Sequence, residues 1–184
     1  MKIGYFADGP WSHRAFEAIM ADSEIKIEFI CVRFDKNDET LKKYCTKYKI
    51  DYLTHQNINS NEFLDKIQSY ECDLFVSMSF NQIFKKTIIN MPRLKTINCH
   101  AGKLPFYRGR NILNWALIND EKEFGVTIHY MDKGIDTGDI ILQKTFPILE
   151  MDDYSTLLER AYKECASLLF QSIKEIKKGN VERK

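Results

Sequence analysis

Asp73-Leu74-Phe75-Val76-Ser77-Met78 is a short apolar run with a single hydroxyl in it. A run of that length without polar alternation reads as a strand covered on both faces. Upstream, Phe63, Leu64 and Ile67 fall at helical spacing behind the cap-like Asn59-Ser60-Asn61, so a helix feeds the strand. Downstream, the strand leads into Asn81 to Lys86 and then to a further extended segment, Thr96-Ile97-Asn98-Cys99-His100. The same alternation begins the chain. Lys2 to Ala7 is an apolar run closed by Asp8-Gly9-Pro10, and Ser12 to Ala21 carries Ala15, Phe16 and Ile19 at helical spacing. Ile25, Ile27 and Phe29 then alternate with charged residues before Ile30-Cys31-Val32, Leu41 and Tyr44 keep a helical period, and Tyr52-Leu53-Thr54 is a short, weak strand. Strand and helix in alternation predict a parallel α/β sheet with helices on both faces. Ligands of such sheets bind at the carboxyl ends of the strands, where Met78-Ser79 and His100-Ala101 fall.

Beyond Asn111 the pattern changes. Ile112 to Ile118 reads as a helix ended by Asn119-Asp120, and Phe124, Val126, Ile128 and Tyr130 alternate strictly with Gly125, Thr127, His129 and Met131. A further strand runs from Asp139 to Phe146, and the glycine-rich turn between the two predicts an antiparallel pair. A long helix follows, with Leu157, Ala161, Cys165, Leu168 and Ile176 among its apolar stripe, behind caps at Asp152 and Asp153 and before a stop at Lys177-Lys178-Gly179. Together the elements predict a Rossmann-like, mostly parallel twisted sheet with helices on both faces, plus a C-terminal antiparallel strand pair and a long helix.

With 184 residues, 44% of them apolar, the chain has the size of one domain, residues 1–184. Lys plus Arg number 27 against 26 Asp plus Glu, so the net charge of +1 gives no overall footprint for binding nucleic acid. Five cysteines without CxxC pairs or zinc spacing read as reduced thiols, and no metal site is expected. An acid and a turn arrive at Asp8-Gly9-Pro10, too early for a signal peptide, and no apolar run approaches a membrane span. The expectation is a cytoplasmic protein with no membrane partner. A homodimer is a reasonable way to cover the apolar surface of a small sheet.

Side chains alternate faces along a strand, so Asn98 and His100 project to one side and Cys99 to the other. That geometry dismisses a Cys99–His100 nucleophile pair. Asp136 sits in Gly134-Ile135-Asp136-Thr137-Gly138, a turn that can aim a carboxylate at a strand end. Asn98, His100 and Asp136 make a candidate acid/base cluster. His55 and His129 have no acidic or amide partner at strand spacing and read as surface or paired histidines. The chain has neither GxGxxG nor GxxxxGK[ST]. In the loop Asp8-Gly9-Pro10-Trp11-Ser12-His13, Trp11 either contacts ligand or covers the start of the helix, and His13 reads as an exposed helix residue. Leu104 to Asn111 carries two arginines, two aromatics and an asparagine beside His100. Guanidinium forks hold phosphate and rings stack on a base or sugar, so this reads as an anion-binding lid.

Asn98-Cys99-His100, Leu104-Pro105-Phe106-Tyr107-Arg108-Gly109, Gly125-Val126-Thr127-Ile128-His129 and Met131-Asp132-Lys133-Gly134-Ile135-Asp136-Thr137-Gly138-Asp139-Ile140, in that order and spacing, resemble the folate-dependent formyltransferase family. That family includes methionyl-tRNA formyltransferase, glycinamide ribonucleotide formyltransferase and the sugar N-formyltransferases. The resemblance implies that Asn98, His100 and Asp136 are the catalytic triad and that the co-substrate is N10-formyltetrahydrofolate. It also implies that the pterin end of the folate lies along the main chain of Met78, Ser79, Phe80 and Gln82 and of Asp132, Gly134 and Ile135. Ala101-Gly102-Lys103 departs from the commoner proline- or serine-containing tripeptide after the histidine.

Three branches of acceptor compete. Glycinamide ribonucleotide enzymes tend to lack the Arg-Gly that stands here at Arg108-Gly109. The tRNA enzymes usually carry a second, carboxy-terminal domain, whereas this chain ends soon after its long helix. A nucleotide-linked amino sugar of the dTDP-amino-dideoxy type fits better, with Trp11, Phe106, Tyr107, Arg108, Gly109, Arg110 and Asn111 stacking on the base and gripping the diphosphate. Asp8, Gly9 and Lys103 are placed with them on the acceptor side. The alternatives are a methionyl-tRNA formyltransferase catalytic domain and a formyltetrahydrofolate hydrolase, since fold alone does not fix function.

Overall fold

The computed structural model describes residues 1–181. The last three residues of the 180–184 tail therefore lie outside the described ones. Six helices and seven strands follow one another as β1 (Lys2–Ala7), α1 (Gly9–Met20), β2 (Lys26–Val32), α2 (Glu39–Tyr48), β3 (Asp51–Thr54), α3 (Asn61–Gln68), β4 (Leu74–Met78), α4 (Lys86–Asn90), β5 (Thr96–His100), α5 (Ile112–Ile118), β6 (Glu123–Tyr130), β7 (Ile140–Pro147) and α6 (Tyr154–Lys178) among the described residues.

The strands form one sheet in the order β3-β2-β1-β4-β5-β6-β7. β1 to β5 are parallel, while β6 runs antiparallel to both β5 and β7. Strand order reverses between β1 and β4, and their carboxyl ends meet where the Asp8 N–H donates to the Met78 carbonyl at 3.3 Å. All five residues of β4 are buried, as a strand covered on both sides requires. One apolar layer joins Ile3, Tyr5, Val76, Ile97, Cys99, Val126 and Ile128 of the sheet to α1 and α6. A second layer packs Phe6, Phe29 and Phe75 under α3 and α4.

Two boundaries differ from the reading of the sequence. The first helix starts at Gly9, three residues before the expected Ser12, because Pro10 fits its opening turn, where a missing N–H costs nothing; Trp11 is therefore helical as well as Ser12 and His13. After β4, residues 79–85 stay irregular and α4 begins only at Lys86. Ser79 has a φ of 60°, which breaks the chain direction at once. The loop is then held by side chains: Gln82 accepts from the Ile58 N–H at 3.0 Å and donates to the His55 carbonyl at 2.8 Å, and Asn59 bonds Ile83 and Lys85. Asp153 and Thr156 form a capping box at the start of α6, and Gly179, with a φ of 74°, closes it.

Candidate active site

The two faces of β5 part company as alternation requires. Ile97 and Cys99 enter the core, and Asn98 and His100 project from the other face. Antiparallel pairing sets His129 of β6 opposite Asn98, and Thr127 opposite His100. Loops 101–111 and 131–139 close over this face. Thr127 anchors the first loop: its hydroxyl donates to the Gly102 carbonyl at 2.7 Å and accepts from the Leu104 N–H at 3.3 Å and from Gln143 Nε2 at 2.8 Å. The second loop is built by Asp132, whose carboxylate accepts from the Gly134 N–H and the Thr137 hydroxyl. That turn delivers Asp136 with a φ of 52°, a left-handed conformation that short polar side chains tolerate better than most.

Asp136 stands at the centre. Its Oδ1 accepts from Asn98 Nδ2 at 3.3 Å and lies 3.4 Å from His129 Nε2; its Oδ2 accepts from the Gly109 N–H at 2.9 Å and lies 3.5 Å from His100 Nδ1. His100 Nε2 is 2.7 Å from the Tyr107 carbonyl oxygen. A carbonyl only accepts, so Nε2 carries the hydrogen and the neutral ring keeps its lone pair on Nδ1, facing Asp136. Burial pushes the pKa of His100 below its usual 6.5, outweighing the opposing pull of the Asp136 charge and of the Tyr107 carbonyl. For Asp136, burial works against ionisation. The His129 contact, the His100 charge and the Gly109 N–H outweigh it and hold the carboxyl below the usual range. The site at rest pairs a carboxylate with a neutral imidazole.

Gly102 stands where a side chain has no room. A Cβ there would run into His100 Nε2 and come within 2.6 Å of the Tyr107 oxygen. The departure from proline or serine at this stretch is thus matched by a loop that packs directly on the imidazole.

The sequence reading set His129 aside, and the structure corrects that. His129 is 2% exposed and its Nε2 lies 3.3 Å from Asn98 Nδ2. Its partners come from the neighbouring strand and a distant turn, which spacing along its own strand does not reveal. His13 is also corrected. It is only partly exposed, and its Nε2 lies 2.9 and 2.8 Å from the two oxygens of Asp38. His55 bonds Asn57 within its own turn.

The residues expected at the pterin end divide. Met78 is buried, Ser79 is exposed, and Gln82 is occupied by the 55–58 turn. Phe80 and Met131 both pack on the second apolar layer. Ile135 is 63% exposed beside Gly134 and Asp132.

On the acceptor side, Phe106 is 70% exposed, and Arg108, Arg110 and Asn111 are exposed as well. Tyr107 presents its carbonyl to His100 while its hydroxyl bonds Glu121, and Lys103 pairs with Glu123. These four side chains and Phe106 line a cavity of about 230 Å³. Trp11 packs edge-on against Tyr162 of α6 with ring centres 4.4 Å apart. Asp8 is half-buried against Arg33 at 3.5 Å, and the Gly9 N–H is taken by Asp38 at 2.9 Å. Asp8, Gly9 and Trp11 therefore sit in contacts of their own, apart from the Asp136 cluster.

Known proteins resemble this chain over most of its length. The family model for formyl transferase matches residues 25–173. A methionyl-tRNA formyltransferase from Methylacidiphilum infernorum is 31% identical over all of this chain, which spans 60% of that relative's length. A glycinamide ribonucleotide transformylase from Symbiobacterium toebii shares the fold, with a TM-score of 0.85 over 97% of this chain and 88% of its own at 22% identity. A sugar 3N-formyl transferase crystallised with dTDP and 5-N-formyl-THF superposes with a TM-score of 0.77 at 26% identity, covering 100% of this chain and 65% of its own. Among the described residues no helix is long and apolar enough to cross a membrane.

Proposed function

This chain belongs to the formyl transferase family, and from that premise we propose that it moves a formyl group from N10-formyltetrahydrofolate to a primary amine. The observation that carries the reading is the Asn98–His100–Asp136 cluster, in which Asp136 contacts the other two at 3.3 and 3.5 Å. The bound folate supplies an electrophilic formyl carbon. The attacking amine sheds a proton, and His100 Nδ1 is the free lone pair placed to accept it, because Nε2 is tied to Tyr107. Asp136 then faces an imidazolium and stabilises it; the bond between the formyl carbon and N10 of the donor breaks, and the imidazolium returns the proton to N10, so that tetrahydrofolate leaves and the ring is neutral again. Asn98 holds two amide N–H groups in contacts at the long end of the hydrogen-bond range, from which one can turn to the formyl oxygen as charge develops there.

For the acceptor we propose a nucleotide-linked amino sugar. The exposed ring and guanidinium groups of Phe106, Arg108 and Arg110 beside His100 suit a base and a diphosphate, and the dTDP-bound sugar formyl transferase shares the fold over the whole chain. A second reading has its own support. The 31% identity to a methionyl-tRNA formyltransferase favours an aminoacyl-tRNA acceptor. Incubation with N10-formyltetrahydrofolate and either a panel of dTDP- and UDP-amino sugars or charged methionyl-tRNA separates the two. Formylated sugar supports the first, formylated aminoacyl-tRNA the second, and free formate alone would point to hydrolysis.

A further inference from the structure

Loop 101–111 makes two main-chain contacts with the acid/base pair: the Tyr107 carbonyl oxygen lies 2.7 Å from His100 Nε2, and the Gly109 N–H donates to Asp136 at 2.9 Å. The loop does not take that shape by its own preferences. Tyr107 and Asn111 have φ of 53° and 59°, in the left-handed region that residues with a side chain avoid. Such a path persists only where the surroundings impose it.

The buried fastening lies at the start of the loop. His100, Thr127 and Gln143 form one row across β5, β6 and β7, and residues directly opposite each other on neighbouring strands share a face. Gln143 Nε2 donates to the Leu104 carbonyl at 2.8 Å, and because a carbonyl only accepts, this contact fixes which way round the amide lies. Its other hydrogen reaches the Thr127 hydroxyl at 2.8 Å. That hydroxyl has a single hydrogen, which goes to the Gly102 carbonyl at 2.7 Å, so the oxygen accepts from Gln143 and from the Leu104 N–H at 3.3 Å. The hydrogens of this clamp are thereby all assigned. Thr127 is 0% exposed, and Gly102, which it holds, packs directly on the imidazole of His100. The Lys103–Glu123 pair of the same loop is exposed, where water screens the charges.

We infer that Thr127, braced by Gln143, is a positioning residue for the reaction: it fixes residues 102–104, and through them sets the Tyr107 carbonyl against His100 and the Gly109 N–H against Asp136. Buried as it is, Thr127 acts through the loop and not on a substrate. This rests on the formyl-transfer reading, and the test separates the two.

Thr127→Val keeps the shape of the side chain and removes the hydroxyl, and Thr127→Ser restores it. The Gly109 amide proton, bonded to a carboxylate and in contact with neither Thr127 nor Gln143, reports the loop in a nitrogen–proton correlation spectrum without any turnover. In Thr127→Val that proton is expected to move upfield and exchange faster, while the amide positions of β1 and β4 stay as in the parent. Its kcat should fall about tenfold, the size one hydrogen bond carries, with KM for the donor within about twofold. Thr127→Ser is expected to recover the Gly109 signal and most of kcat. Gln143→Leu, at an exposed position of β7, removes one arm of the clamp and should move Gly109 the same way by less. A Gly109 signal unmoved in folded Thr127→Val, a Thr127→Ser no better than Thr127→Val, or, where Thr127→Val does not fold, a Gln143→Leu with the parental Gly109 signal would each overturn the assignment. A parent protein that formylates no acceptor would instead defeat the formyl-transfer reading, while the Gly109 signal would still decide whether Thr127 sets the loop.

Discussion

The main-chain oxygen of Tyr107 lies 2.7 Å from Nε2 of His100, while Nδ1 of the same ring faces Asp136 Oδ2 at 3.5 Å. A loop carbonyl thus selects the tautomer, and the carboxylate waits beside the nitrogen left free. The second-loop contact from Gly109 to Asp136 ties the same segment to the carboxylate. In the proposed reaction loop 101–111 therefore serves the acid/base pair directly, since it holds the ring of His100 and contacts the carboxylate of Asp136.

Replacing either end of that pair should stop turnover while sparing the fold. His100→Asn and Asp136→Asn are each expected to lower kcat by about 10²–10⁴-fold, with circular dichroism unchanged. Near-normal rates in either variant would remove the residue from the mechanism.

Gly102→Ala tests the packing of the loop on the ring. The added methyl would meet His100 Nε2 and the Tyr107 oxygen, neither of which is the end of a flexible chain. A loss of about 1–3 kcal/mol in denaturant unfolding is expected, together with a fall in kcat at least as large as the stability loss alone accounts for at the assay temperature. An alanine variant with parental stability and rate would show that the loop has room to move.

Protonation of His100 should set the acid limb of the reaction. Its pKa is lowered by burial, so kcat/KM is expected to stay level down to about pH 6.5 and to fall only below it. Stability has the matching sign. The ring is neutral in the fold, and the unfolded chain takes up its proton first as pH falls below the ordinary histidine value. This contribution is complete above about pH 6.5 and is lost between there and the lower folded value. Asp136, lowered in the fold, adds stability above the ordinary carboxylate range that is lost only as pH falls through its folded value. Melting temperature against pH for the parent and His100→Asn checks the first step, which the variant should lack.

Much of this was legible in the residues. Alternation along Thr96–His100 separates Asn98 and His100 from Cys99, and the glycine-framed turn marks Asp136, since both signals are local. His129 was not legible, because its partners lie across an antiparallel ladder and in a turn seven residues on, and register is a tertiary property. The role of Tyr107 escaped for another reason. It acts through its carbonyl oxygen, which every residue possesses and no side-chain pattern marks. Asp38 was missed likewise: it receives the Gly9 and Leu41 N–H groups at 2.9 and 3.0 Å and so serves the starts of two helices.

That double role gives a prediction about the fold alone. Asp38→Ala removes the acceptor at the start of α1 and the cap of α2, and leaves His13 without its partner. An unfolding free energy lower by about 1–3 kcal/mol is expected, with little change in kcat for protein that remains folded. A variant as stable as the parent would show that solvent satisfies both helix starts.

The most direct measurement incubates the purified protein with N10-formyltetrahydrofolate and dTDP- or UDP-linked amino sugars, reads product by mass, and runs His100→Ala alongside. Formylated amino sugar in the parent and none in the variant is the result predicted. Formylated methionyl-tRNA with no sugar product would contradict the acceptor, and no formyl transfer to any amine would contradict the chemistry assigned to Asn98, His100 and Asp136.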